Sequence, residues 1–274
     1  MRYIKLSMQY IGRTFFYILE YSILPALVLA LMIEPASVYN LLIDFTSSVE
    51  KNFLEMWLSA TDISWRGVAF LLVGGLMLII FVSAMSGLFE RDMRLGDLSN
   101  RHFFARVNNN FLIMLRVFVV MIIILECYGF ICSSLIYLWI KVFKAKAIRL
   151  ALSIISVVLI TLLAAIVVSY SILWCPTMVF TGLNGRKAVI AELRLTKGNF
   201  WRIFVAVVLP VIPVFSLIYV TNYFDIKILR FIVDLVAYIF FIGYYTVLMF
   251  VAYCDISGTD REDLKKKKIW EVNS

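Results

Sequence analysis

Six uninterrupted apolar runs, each close to the length that a lipid bilayer demands, constrain this chain more than any other feature. They fall at about 15–33, 67–89, 111–139, 150–175, 203–221 and 229–253. A hydrocarbon core of about 30 Å is crossed by about 20 apolar residues in a helix. No water is available there for backbone N–H and C=O groups, so only helices and closed barrels cross it. The runs are continuous rather than alternating, which excludes a β-barrel. The sequence therefore predicts an all-α polytopic transmembrane bundle. It forms a single integral membrane domain over 1–274, with about six spans arranged as three helical hairpins and with amphipathic interfacial helices.

Composition agrees. The chain is 63% hydrophobic and 16% charged, with a mean hydropathy of +0.94, whereas soluble domains run near 45–50% apolar. The net charge of +8 would suit nucleic acid. The cations, however, cluster at the ends of the apolar runs, where they set orientation and hold anionic headgroups. Nucleic acid is not expected as a partner. The N-terminus lacks the short apolar core and small-residue cleavage site of a signal peptide, so the first span is expected to remain as an anchor.

Counting cations orients the bundle. With the N-terminus inside, the inner segments 1–14, 90–110, 177–202 and 254–274 hold 17 of the 26 Lys and Arg. The outer segments 34–66, 140–149 and 222–230 hold 8, and Arg116 is the remaining one. The positive-inside rule places both termini in the cytoplasm of a multi-pass cell-membrane protein. The loop "KVFKAKAIR" (141–149) runs against this. Snorkelling to outer headgroups, an outward patch for an acidic partner and an inverted topology all remain open for it. In the outer segment, Leu41, Leu42, Phe45, Val49, Phe53 and Met56 recur at helical spacing. That pattern predicts an amphipathic surface helix at about 37–59.

Basic, aromatic feet precede three of the spans: "YIKLSMQYIGRTFFYILEY", "FFARVNNNFLIMLRVFVVM" and "AELRLTKGNFWRIFVAVVLP". Each joins a basic amphipathic segment, a Gly or Asn bend, aromatics and then the span. Arg194, Lys197, Trp201 and Arg202 read as contacts to anionic lipid headgroups of the inner leaflet, as do Lys265, Lys266, Lys267 and Lys268 of the basic tail 254–274. Arg116 reads as the membrane boundary of the long third run. The feet also raise the question of an internal repeat of hairpins.

The six-span layout, "GLFERDMRLGDLSNRHFFARVNNNF" after the second span and "RLTKGNFWRIF" before the fifth resemble a loose group of bacterial membrane proteins. That group includes families of unknown function and the membrane domain fused to some glycerophosphodiester phosphodiesterases. The resemblance spans most of the chain and implies the membrane architecture. The soluble phosphodiesterase part is absent, as is a metal-binding cluster of Glu, Asp and His, so that activity does not carry over.

Residues able to carry chemistry are few. Cys127, Cys132, Cys175 and Cys254 form no C-x-x-C pair, and His102 is the one histidine. No Walker loop, G-x-S-x-G elbow or H-E-x-x-H motif occurs. No catalytic residue, metal or cofactor is expected. Ionisable groups within spans cost about 2.5–3.5 kcal/mol at mid-helix, which singles out Glu20, Glu126 and Asp234. Glu126, in the middle of "VVMIIILECYGFICSS", is either a protonatable coupling site or a hydrogen-bonded structural group. Glu20 lies within reach of the inner interface, and Asp234 can pair with Arg230 one turn away. Pro210 and Pro213 predict a kinked fifth span whose freed carbonyls resemble a transporter device. Gly74 and Gly75 predict close helix packing. The reading is a non-enzymatic accessory, regulatory or scaffold protein for another membrane system, associating with a membrane-protein partner or with itself. A small transporter using Glu126 is the alternative, and an intramembrane lipid enzyme is third.

Overall fold

The computed structural model describes residues 2–32, 52–61, 65–224 and 226–264. Among them are ten helices and no strand. In chain order they are α1 (Arg2–Met32), α2 (Phe53–Thr61), α3 (Trp65–Leu95), α4 (Phe103–Val142), α5 (Lys146–Ser171), α6 (Trp174–Thr181), α7 (Gly185–Lys197), α8 (Phe200–Val208), α9 (Val211–Tyr223) and α10 (Lys227–Ser257). Six stretches are long and apolar enough to cross a membrane: Arg2–Leu31, Leu72–Leu95, Phe103–Val142, Lys146–Thr181, Phe200–Ile218 and Lys227–Ser257. They coincide with the six apolar runs. The fourth is α5 continued by α6 across a short turn, and the fifth is α8 continued by α9.

Consecutive spans pack as neighbours, α1 on α3, α4 on α5 and α9 on α10. The most extensive packing, however, joins the first span to the last, α1 to α10. Glycine permits the approach: a Cβ on Gly243 of α10 would strike Ile18 of α1. The core lies where α1, α3 and α10 meet. Leu88 and Phe89 of α3 and Leu248, Phe250 and Val251 of α10 are fully enclosed. Around them Tyr10 meets Phe89 edge to face at 5.4 Å, and Phe89 meets Phe250 at 6.3 Å. A helix apolar all round belongs in such an interior.

α4 packs closely on α3 as far as Phe118; beyond it the helix carries no residue of this core. Only 6% of α4's most apolar stretch is buried against the chain, against 61% for α3 and 50% for α10. Its firmest anchor is Phe118, which lies directly on Gly75 of α3, the close packing expected of the glycine pair. At the far end of the hairpin α2 rests on α4, with Phe53 against Phe130 and Tyr137 and Trp57 against Phe130. α2 occupies the end of the expected amphipathic helix; residues 37–51 of that expectation lie outside the described residues.

The three feet differ. The foot of the fifth span is a separate helix, α7, broken from α8 at Gly198–Asn199. The foot of the first span merges into α1 through a kink at Thr14. The expected bend at Asn108–Asn110 does not occur, and α4 runs on unbroken. The reason is tertiary. Asn110 is buried and donates Nδ2–H to the Ser83 carbonyl at 3.4 Å. Gly87 opens the room, since a Cβ there would lie 2.9 Å from Asn110 Nδ2. A polar residue that would favour a break is thus held in the helix by its neighbour.

Replacing either packing glycine tests this arrangement. Gly75→Leu and Gly243→Val are each expected to cost about 1–3 kcal/mol by overpacking. Unfolding in mild detergent with increasing sodium dodecyl sulfate measures the loss; unchanged stability would mean that these helices do not meet as described.

Candidate functional site

The segments that carry most of the cations gather at one end of the bundle. There α1 begins, α3 ends, α6 ends and the chain leaves α10. Arg13 of α1 pairs with Asp92 at the end of α3 and, through Nη1, with Asp263 after α10 at 3.1 Å. Arg261 grips Asp263 with two hydrogen bonds, Nε to Oδ1 at 3.1 Å and Nη2 to Oδ2 at 2.9 Å. Tyr10 donates its hydroxyl to Asp92 Oδ2 at 2.8 Å. The guanidinium groups of Arg13 and Arg261 also lie over the Tyr10 ring, 5.0 and 5.8 Å from its centre. Two cations and two buried carboxylates cancel. This is a clamp, with its charges already neutralised and no group left to act on a substrate.

The neighbouring loop 96–102 is laced to α1 and α4. Asn100 donates to Glu20 Oε2 at 2.7 Å and accepts from the Tyr21 hydroxyl at 3.3 Å. Arg106 donates to the carbonyls of Ser99 and Arg101. Glu20 therefore takes a structural role. The mixed charges of "ERDMRLGDLSNR" pair locally, Glu90 with Arg94 at 2.8 Å and Arg91 with Asp97 at 2.8 Å. His102 precedes α4 with φ of 76°, in the left-handed region.

Glu192 is a polar group that the sequence did not single out. It sits on the inward stripe Ala188, Glu192, Thr196 of α7 and is 2% exposed. It accepts the backbone N–H groups of Leu173 and Trp174, where α6 restarts after the turn. A carboxylate at a helix N-terminus satisfies donors that have no partner in the helix itself. Burial wins over these bonds and pushes the Glu192 carboxyl up to about 8.

The kinked fifth span is closed rather than open. Pro210 lacks the N–H that would bond the carbonyl of Ala206, four residues back. The Tyr244 hydroxyl of α10 donates to that carbonyl at 2.8 Å, and Tyr245 donates to Val207 at 2.7 Å. The kink expected at Pro210 and Pro213 is present between α8 and α9. Two of the carbonyls at the kink are taken by tyrosines of the same chain, so they do not face a permeation path.

Glu126 lies elsewhere. It is half-buried on α4, and α4 has no substantial packing against α8 or α9. The structure does not bring it to Pro210 and Pro213. Its neighbour Tyr128 instead bonds Thr161 of α5 at 3.1 Å. No hydrogen bond or ion pair joins the Glu126 side chain to the described residues. Asp234 is buried on α10, one turn after Arg230.

The interfacial residues divide. Arg194 and Lys197 are exposed on α7, and Trp201 is 72% exposed beside Phe200 and Phe204. Arg202 reaches the Tyr3 hydroxyl of α1, so it braces the bundle as well as facing outward. Lys265, Lys266, Lys267 and Lys268 lie outside the described residues. Among the described residues no group of three or more His, Cys, Asp or Glu is placed to hold a metal ion. No protein-family model matches the chain, and no curated protein or solved structure matches it.

Three outcomes test these assignments. Arg13→Ala leaves the buried Asp92 without its closest cation and is expected to cost about 3–5 kcal/mol in detergent unfolding. Tyr244→Phe is expected to cost about 1–3 kcal/mol through the orphaned Ala206 carbonyl, and much less in a Pro210→Ala background, where the restored N–H takes that carbonyl. For Glu192, the folded carboxyl holds its proton to about 8 and the unfolded one releases it near 4.5. The unfolded state therefore loses its proton first, and stability falls as pH rises through that window. Glu192→Gln is expected to flatten the fall and to raise the melting temperature at pH 9 relative to wild type.

Proposed function

We propose that the chain is a non-enzymatic integral membrane protein that assists, regulates or scaffolds another membrane system. Its docking face in this reading is the outlying α4–α5 hairpin. The observation that carries it is the division of the bundle. α4 buries 6% of its apolar stretch within the chain, yet it bears the half-buried Glu126 at mid-span. A carboxyl there is costly against lipid and is relieved by a hydrogen-bond donor or cation on a neighbouring helix. The core shows the reverse economy. Asp92, Asp263 and the carbonyls of Ala206 and Val207 are all engaged internally.

The cation distribution supports an orientation with both termini in the cytoplasm, and the resemblance supports a bacterial cell membrane as the setting. The resemblance to uncharacterised six-span bacterial proteins agrees with this reading at the level of architecture. A transporter that uses Glu126 is the second reading, favoured by the absence of a side-chain partner for Glu126 among the described residues. The tyrosine-closed kink and the distance between α4 and the prolines weigh against it.

The deciding experiment places a photo-crosslinking residue at Leu125, Ile131 or Leu138 of α4, with Leu24 of α1 as an equally outward control. Expression is at native level. The docking reading predicts one stoichiometric adduct from the α4 positions, absent from Leu24 and weakened by Glu126→Leu. Protein recovered without an adduct, together with transport in reconstituted vesicles that Glu126→Gln abolishes, would replace this reading with the transporter.

A further inference from the structure

A cleft of about 650 Å³ opens between α4 and the turn that follows α6. Arg116 enters it from α4, and Arg186 and Lys187 from the start of α7; Asn184, Gly182 and Gly185 complete the wall. All three cations are exposed, and no carboxylate among the described residues pairs with them. The wall is open rather than packed, since a Cβ on Gly182 or Gly185 would meet nothing within 4 Å. Three like charges in one cleft, without an internal counter-ion, repel one another and attract an anion.

The surroundings state where that anion comes from. Arg116 lies about 39 Å along α4 from Val142 at 1.5 Å per residue, enough to cross a hydrocarbon core of about 30 Å. The cleft is thus at the level where the bilayer ends. On the Arg116 face of α4, one and two turns toward the bilayer, Val119 and Ile123 are exposed. On α7, Val189, Ile190 and Leu193 form an outward apolar stripe between Arg186 and Lys197. Such a helix lies in the plane of the headgroups with its apolar side in the acyl boundary.

We propose that this cleft is a binding site for an anionic phospholipid. The phosphate lies between Arg116, Arg186 and Lys187, and an acyl chain runs along Val119 and Ile123. Three side-chain cations from two separate elements supply the attraction, and the first N–H groups of α7 add to it. The site is independent of the docking role of Glu126, which lies nearly three helical turns further along α4.

Native mass spectrometry of the full chain in mild detergent tests the site. The probes are dioleoyl phosphatidate, dioleoyl phosphatidylcholine and glycerol 3-phosphate. Wild type is expected to retain phosphatidate at concentrations where phosphatidylcholine does not bind. In Arg116→Gln/Arg186→Gln/Lys187→Gln the apparent affinity is expected to fall about tenfold or more, the scale set by the loss of three surface cations. Lys141→Gln/Lys144→Gln/Lys146→Gln, with the same charge removed at the opposite end, is expected to bind as wild type. If the first variant fails to fold by circular dichroism, Arg186→Gln/Lys187→Gln on the exposed turn is read in its place. Equal losses in both loop variants would overturn the site, as would equal retention of phosphatidylcholine. Displacement of the lipid by equimolar glycerol 3-phosphate would overturn the lipid as its ligand and assign it to a soluble phosphate.

Discussion

Arg13 stands between Asp92 and Asp263, two carboxylates that cannot remain charged and enclosed without a cation beside them. Their desolvation would cost several kcal/mol each. The guanidinium offsets it only because α1, the end of α3 and the chain beyond α10 all converge on one point. Arg261 and the Tyr10 hydroxyl complete the neutralisation. The convergence fixes the relative depth of three helices. The apolar packing of Tyr10, Phe89 and Phe250 behind the clamp follows from that register. Within lipid the hydrophobic effect gives no preference between helix and tail, so polar anchors and close packing must supply the specificity.

The molecule is consequently unequal in its two parts. α1, α3 and α10 form a closed body in which Asp92, Asp263, Thr14, Ser83 and Thr246 find partners in the same chain. The tyrosine hydroxyls on the carbonyls beside Pro210 belong to this economy: they turn a potentially open break in a helix into a fixed elbow. The α4–α5 hairpin is attached at its base by α4 packing on α3 and by α5 packing on α7 and α8, while Val119, Ile123, Leu125 and Ile131 further along α4 face outward. A closed body with an outlying hairpin suits a protein that is held steady while one face engages something else.

Much of the architecture was legible in the sequence because the bilayer imposes a length on every span. The six apolar runs, the proline kink and the glycine contact at Gly75 each carry a local signal, and each is present in the structure. The clamp was not legible. Arg13 and Asp92 are separated by 79 residues and Arg13 and Asp263 by 250; nothing local tells a buried aspartate from the exposed charges around it. The one clue was register, since Asp92 continues the inward stripe of Met85, Leu88 and Phe89. Glu192 was hidden in the same way, on an amphipathic helix whose other charges face outward. The triple asparagine misled in the opposite sense: its local preference for a break was overridden by a partner on α3.

The pairing of α1 with α10 has a consequence for biosynthesis. A ribosome delivers the first span long before the last, and the last carries the surface against which the first is buried. Until residues near 263 emerge, Arg13 has only part of its charge compensation and the groove around Gly243 does not exist. The nascent chain must therefore pass through an interval in which five inserted spans lack their keystone. Closure of the core then waits for the sixth span, and a chain interrupted before it would present quality-control proteases with an unclosed bundle.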